Sequence, residues 1–146
     1  MGNSNVRVGI GVFVFKDGKF LMGQRKNSHG HGEWSVPGGH QEFGESPDET
    51  SHREVMEETS LVIQNVRFGA MTNDLFNTDR KHYVTLWMTS DYKDGVVTNM
   101  EPEKCAEWDW FDFDALPAPL FQPWQQLLKS EFIENIKDRL VKSKHA

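Results

Sequence analysis

The sequence predicts an α/β sandwich built on a mixed β-sheet, and three observations predict it. Val6 to Phe15 (VRVGIGVFVF) alternates β-branched or aromatic residues with glycine, which suits a strand better than a helix. Further strand-like runs lie on both sides of one strongly signalled helix that starts at Ser46-Pro47. Beyond Leu120, the residues Trp124, Leu127, Leu128, Ile133, Ile136 and Leu140 recur at roughly helical intervals, so a second helix closes the chain. Strands around a central helix, with another helix at the end, make an α/β layer architecture.

Each element has a local cause. Lys16-Asp17-Gly18-Lys19 centres a hairpin turn on Asp-Gly, and Phe20 to Arg25 returns as a second strand. Asn27 to Gly32 is a polar loop, and Glu33 to Val36 a short strand that Pro37-Gly38-Gly39 breaks. Ser46 can cap a helix, Pro47 suits its first position and Glu49 completes a capping box, so the helix should run from Pro47 to about Thr59. Leu61 to Met71 and Tyr83 to Tyr92 read as strands, separated by a polar loop from Asn73 to Lys81. Asp94-Gly95 marks a turn, Asn99 to Ala106 a loop, and Glu107 to Asp112 (EWDWFD) a last strand. After a turn ended by Pro117 and Pro119, the C-terminal helix is expected over about 121–142, with 142–146 frayed.

A chain of 146 residues fits one domain, 1–146, large enough to bury a core. Its net charge of −6 argues against a nucleic-acid or anionic-membrane partner, either of which needs a basic patch. A phosphorylated small molecule held through metal ions is not excluded. The lone Cys105 rules out an internal disulfide and suits a reducing cytosol. No signal peptide is evident, and no apolar run approaches the ~20 residues a membrane span needs. These features point to a soluble, cytoplasmic protein.

The chemistry concentrates between Gly39 and Leu61 (GHQEFGESPDETSHREVMEETSL). Glu54, Glu57 and Glu58 fall at spacings of three and four, which puts them on one helix face. Like charges at such spacings cost about 0.2–0.5 kcal/mol per pair. No lysine occurs from residue 27 to residue 80 to neutralise them. A hard divalent cation is the natural remedy, because oxygen-only ligands suit Mg²⁺, Mn²⁺ or Ca²⁺. Glu49 and Asp48 serve the helix start, and Glu42 is a loop charge.

The run also fits a longer pattern. It reads glycine, five residues, Glu45, seven residues, then Arg53-Glu54-Val55-x-Glu57-Glu58-x-x-Leu61. This resembles the box of the MutT/Nudix hydrolases, G-x5-E-x7-R-E-U-x-E-E-x-G-U with U aliphatic, at eight of nine specified positions. The exception is Ser60, where the family has a glycine in left-handed conformation after the helix. The resemblance implies a Nudix-type α/β/α sandwich with a mixed sheet, and Mg²⁺-dependent hydrolysis with Mn²⁺ able to substitute. It implies metal ligation by the Gly39 carbonyl and by Glu57 and Glu58. Glu54 would be a ligand or the general base, and Arg53 the partner of Glu45, orienting the glutamates. An additional ligand often comes from a loop outside the box; Glu103 is the expected one, with Glu101 and Glu107 as alternatives.

Flanking segments narrow the resemblance. Pro37-Gly38-Gly39-His40, Glu42-Phe43-Gly44-Glu45, His82-Tyr83-Val84-Thr85 and Met100-Glu101-Pro102-Glu103-Lys104 with Trp108-Asp109-Trp110 resemble the plant cytosolic and animal Nudix hydrolases. That subgroup cleaves nucleoside triphosphates, oxidised ones included, to monophosphate and pyrophosphate; some plant members take isoprenoid diphosphates. ADP-ribose hydrolases tend to carry a proline about 15 residues after the box, where this chain has Asp74-Leu75-Phe76-Asn77. By position in the subgroup, Thr85 and the Phe121 to Trp124 segment are expected to line a base pocket, with simple packing as the competing reading. His40 could touch a phosphate; His29, His31 and His52 receive no role. Trp108 and Trp110, on one strand face, are expected in the core. The resemblance leaves a homodimer open. The rival readings are a hydrolase of another diphosphate (nucleotide sugar, dinucleotide or isoprenoid) and a non-catalytic nucleotide-sensing module.

Overall fold

Strand β1 (Val6–Lys16) organises the molecule through its two-residue alternation. Ile10, Val12 and Val14 pack on one side with Leu21, Val55, Leu61, Ile63 and Met88. Phe13 and Phe15 pack on the other with Phe20, Trp87, Trp124, Ile133, Ile136 and Leu140. One strand therefore belongs to two cores, as the middle layer of a sandwich must. The computed structural model describes residues 5–27 and 29–144.

The remaining elements are β2 (Lys19–Arg25), β3 (Trp34–Ser35), β4 (Gly38–His40), α1 (Pro47–Thr59), β5 (Val62–Phe76), β6 (Lys81–Asp94), β7 (Cys105–Phe111), α2 (Trp124–Leu127) and α3 (Glu131–Lys144). Seven strands form a mixed sheet in the order β3-β2-β1-β6-β5, with β4 added to β1 and β7 to β2. β1 and β6 run parallel, from Val6 opposite His82 to Phe15 opposite Asp91. Helix α1 and the α2–α3 segment bring apolar residues to opposite faces, giving the expected α/β/α sandwich. The β1–β2 turn has Asp17 and Gly18 both at positive φ (52° and 76°), as Asp-Gly predicts. Among the described residues, no helix is long and apolar enough to cross a membrane.

Three expectations need correction. The polar stretch read as a loop, Asn73 to Lys81, is largely strand: β5 pairs with β6 as far as Phe76 opposite Lys81. Thr72, Asp74 and Phe76 point inward and are buried, so the polar residues are hydrogen-bonded inside rather than looped out. Gly38 and Gly39, read as a break, pair with Gly11 and Ile10. The single C-terminal helix is two. Lys129 N and Ser130 N donate to carbonyls three residues back, Gln126 O at 3.1 Å and Leu127 O at 3.0 Å, and this tightened turn ends α2 before α3 begins. Of the stretch expected to fray, α3 continues through residue 144; 145–146 lie outside the described residues.

Candidate active site

The Ser46 cap forms as its sequence requires. Ser46 Oγ accepts from Glu49 N at 3.1 Å, and Glu49 Oε1 accepts from Ser46 N at 2.9 Å. From this fixed start, the helix carries Arg53 towards the loop before it. Arg53 Nε and Nη2 donate to the two carboxylate oxygens of Glu45 at 2.6 and 3.0 Å. Its Nη1 reaches Glu54 Oε1 at 2.7 Å and Glu57 Oε2 at 3.3 Å, and Nη2 also donates to the His40 carbonyl at 3.0 Å. The Arg53 guanidinium, with a further hydrogen bond from Glu42 N, lowers the Glu45 pKa to about 2. Arg53 thus ties the loop to the helix through several charge-assisted bonds.

The three box glutamates are not equivalent. Glu57 is half-exposed and stands beside Arg53 on the outer side. Glu54 and Glu58 line a cleft of about 520 Å³. The Glu54 carboxyl lies so close to Gly39 that a Cβ there would be 2.4 Å from its Cδ; only glycine permits this approach. Glu58 is partly buried in the cleft wall and, among the described residues, accepts one bond, from Gly38 N at 3.2 Å. Burial pushes the Glu58 carboxyl well above the ordinary carboxylate range, and the neighbouring Glu54 charge adds to the effect. Burial also raises Glu54, although Arg53 opposes it.

The loop after β6 supplies another acid. Thr98 N and Met100 N donate to the Thr59 and Glu58 carbonyls at 3.0 and 3.2 Å, capping the end of α1. Those bonds deliver Glu101 to the cleft wall, where its charge further raises both Glu54 and Glu58. Glu103, the acid expected here, is exposed and does not line the cleft; its carbonyl accepts from Asn27 Nδ2 at 3.3 Å. Glu107 is exposed on β7. The loop chain direction, set by the helix-capping bonds, turns Glu101 rather than Glu103 inward.

Among the described residues, no three acidic, histidine or cysteine side chains form a ready-made metal cluster. The chemistry of the donor set nonetheless fits a hard divalent cation. Glu54, Glu58, Glu101 and the Gly39 backbone offer oxygen only; Glu54 has Arg53 beside it, whereas the charge of Glu58 is poorly compensated. Arg25 lowers the Glu58 pKa by its charge, but it is the smallest of the named influences.

The other end of the cleft is aromatic. The 119–121 segment runs beside β3, with Trp34 N donating to Pro119 O and Phe121 N to Trp34 O at 2.8 and 2.9 Å. This seats Phe121 on the cleft, stacked on Phe76 with centroids 5.7 Å apart. The Arg25 guanidinium lies 4.1 Å from the Phe121 centroid, and Arg25 Nε donates to the His29 carbonyl at 2.8 Å. His29 stands edge-on to Phe76 and contacts Asp79. His40 stacks on Tyr83 and shares a 3.1 Å hydrogen bond with its hydroxyl. Burial, then the charges of Arg7 and Lys81, hold His40 below its ordinary pKa.

Of the residues expected to meet a substrate, His40, Thr85 and Phe121 line the cleft. Trp124 does not: it is fully buried against Phe13 and Phe20, with Nε1 donating to Ser35 Oγ at 3.2 Å. A helix that starts right after the cleft segment turns its first tryptophan into the core. Trp110 and Trp108 pack against the α1-side core, and Trp108 also borders the cleft. Sequence reasoning missed Arg25, Phe76, Tyr83 and His29, which come from separate segments and share no spacing.

Comparison with known proteins decides the family. Residues 5–132 match the NUDIX domain. The chain belongs to the Nudix hydrolase family. The Nudix fold is shared with a MutT NUDIX hydrolase from Burkholderia pseudomallei, at TM-score 0.81 and 25% identity over 87% of this chain and 98% of that one. An NAD-capped RNA hydrolase NudC from Photorhabdus laumondii is 31% identical over 73% of this Nudix chain and 39% of the relative. An oxidized purine nucleoside triphosphate hydrolase from Danio rerio is 27% identical over 73% of the chain and 66% of the relative. An ADP-ribose pyrophosphatase from Methanocaldococcus jannaschii is 30% identical over 78% and 66%. The chain thus spans about two fifths of the NudC relative's length.

Proposed function

We propose that this Nudix chain is a divalent-metal-dependent pyrophosphohydrolase that cleaves nucleoside triphosphates, oxidised purine forms among them, to monophosphate and pyrophosphate. The observation that carries this reading is the single cleft joining an acidic end (Glu54, Glu58, Glu101) to an aromatic end (Phe76, Tyr83, Phe121). Its volume lies within the roughly 300–1,000 Å³ of small-molecule sites. A base suits the aromatic end, and a phosphate chain reaches the acids only with cations between.

Bound Mg²⁺, or Mn²⁺ in its place, would neutralise the phosphate oxygens and ease water's deprotonation. Glu58, Glu101 and the Gly39 carbonyl would hold it, with Glu57 available from the Arg53 side. Arg53 keeps Glu54 and Glu57 oriented while Glu45 holds Arg53. Glu54, at the head of the cleft beside Gly39, would serve either as a further ligand or as the base that takes the proton of the attacking water. Phe121 and Phe76 hold the base and exclude water from that end. The resemblance of the flanking segments and the Danio rerio relative support the triphosphate substrate.

The test is a substrate panel with separate readouts for pyrophosphate and orthophosphate, in Mg²⁺ and in chelator. It should include ordinary and 8-oxo nucleoside triphosphates, ADP-ribose, dinucleotides, nucleotide sugars and geranyl diphosphate. Pyrophosphate released from a triphosphate, and only with metal present, is the expected result. Preference for ADP-ribose or a capped dinucleotide would move the chain towards its other relatives.

A further inference from the structure

Beneath the aromatic end runs a buried polar chain that the hydrolytic step does not use. Trp87 Nε1 donates to Thr72 Oγ1 at 2.9 Å, and Thr72 Oγ1 donates to Asp74 Oδ2 at 2.8 Å. Thr85 Oγ1 donates to the same carboxylate oxygen at 2.7 Å. Asp74 is 1% exposed, and its partners are hydroxyls and, at 3.5 Å, the Gln126 amide. The direction runs one way along the chain: an indole N–H only donates, so Thr72 Oγ1 accepts from Trp87 and passes its own proton to the carboxylate, as Thr85 Oγ1 does. Both hydroxyl protons are therefore committed to Asp74.

Thr85 is also part of the cleft wall. The parallel register sets Gly9 opposite it, and a Cβ at Gly9 would stand 3.5 Å from Thr85 Oγ1. With glycine there, no side chain from position 9 lies against the oxygen. Because its proton points to Asp74, Thr85 Oγ1 can offer only lone pairs to whatever enters.

We propose that Asp74 is a positioning residue for substrate choice: by holding the Thr85 proton it fixes Thr85 Oγ1 as an acceptor, so the cleft selects bases that present an N–H donor. The inference rests on the nucleotide reading above. Amino and lactam purines carry such donors, and oxidation at C8 adds another at N7. An unsubstituted purine carries none on its ring in the nucleotide. A base without the donor leaves a desolvated acceptor unpaired, the arrangement that discriminates most strongly.

The experiment compares triphosphates of adenine, 2-aminopurine, 8-oxoguanine and unsubstituted purine. Dissociation constants are measured in Ca²⁺, and kcat and KM in Mg²⁺, for the wild-type chain, Asp74→Asn, Thr85→Val and Thr85→Ser. The wild type should disfavour unsubstituted purine by about tenfold or more, mainly through KM. Thr85→Ser should keep that ratio. Thr85→Val should reduce it to about twofold or less. Asp74→Asn should do the same or invert it, since an amide can donate to Thr85 and release its proton towards the cleft. A general loss of fold in Asp74→Asn would lower all substrates alike, and Thr85→Val would then decide. Equal handling of all four bases by the wild type, or an unchanged ratio in Thr85→Val, overturns the inference while nucleotide hydrolysis stands. If no triphosphate is bound or cleaved, the nucleotide reading falls and this inference falls with it.

Discussion

The two ends of the cleft handle burial in opposite ways. At the aromatic end, the buried charged groups find partners from within: Asp74 two threonines, the Arg25 Nε a carbonyl. At the acidic end Glu58 accepts a single backbone bond, with Glu54 and Glu101 adding like charge. A buried carboxylate in that position destabilises the protein unless something positive arrives. The first end partners its charges with its own side chains and backbone; the second gathers carboxylates around Glu58 with little positive charge to match, which is why the proposed roles of recognition and cation-assisted catalysis fall to different ends. The helix itself repeats the contrast, since Glu45 has Arg53 in a bidentate pair and Glu58 has no such pair among the described residues.

The sharpest way to break this contrast is Glu58→Gln. The amide keeps the shape and the bond from Gly38 but cannot serve as an anionic ligand. We expect kcat to fall at least ~100-fold, because metal-borne charge stabilisation contributes several kcal/mol. In chelator the same variant should melt higher than the wild type. The linkage sign agrees: the folded pKa of Glu58 is raised. Its stabilising contribution is therefore fully present below the unfolded value and is lost as pH rises through the folded one. Metal-free wild type should lose stability relative to the variant over that rise, and excess Mg²⁺ should remove the difference. Scanning calorimetry against pH, with and without Mg²⁺, checks it; an equal melting temperature in chelator would mean that the acidic end is already compensated.

At the aromatic end, Phe121→Ala and Trp124→Ala separate recognition from packing. Loss of a base-stacking ring costs about 1–3 kcal/mol, so Phe121→Ala should raise KM about tenfold with kcat nearly kept. Trp124→Ala removes a fully buried ring that touches Phe13, Phe20 and Trp87. It should cost about 3–5 kcal/mol of stability, visible in a denaturant midpoint. Steady-state kinetics of both variants below their transitions checks the division. A specific KM effect in Trp124→Ala without loss of stability would restore it to the binding wall.

The contrast also explains what is legible in the sequence. Gly39, Glu45, Arg53, Glu54, Glu57 and Glu58 lie within one stretch whose helical spacing is a local property. The α/β sandwich and most of the element order follow from alternation and capping, which are local as well, whereas the α/β/α layering is implied by the family resemblance. Within the box, spacing does not say which of Glu57 and Glu58 faces inward, because neighbours on a helix differ by about 100° and the docking of α1 against β4 decides which side meets that backbone. Arg25, Phe76, Tyr83 and Phe121 meet only through strand pairing and the 119–121 segment. Asp74 reads as a loop residue because buried polar side chains look the same in sequence as solvated ones; only their partners distinguish them. Glu101 and Glu103 differ by two positions, and the bonds that cap α1 decide between them.

The smallest expected effect tests whether the acidic end depends on a rigid helix terminus. Ser60 occupies the left-handed conformation that follows α1, at φ 66° and ψ 11°, and its N–H donates to the Met56 carbonyl. A side chain there costs about 1–2 kcal/mol relative to glycine, partly offset by the greater freedom of glycine when unfolded. Ser60→Gly should therefore stabilise by about 1 kcal/mol and raise the melting temperature by about 3 °C. Turnover should stay near wild type, because the Glu58 carboxylate is held by Gly38 N rather than by the cap. A fall in kcat with the fold intact would show that the terminus sets the glutamate geometry, making the acidic end as dependent on its scaffold as the aromatic end is on β5.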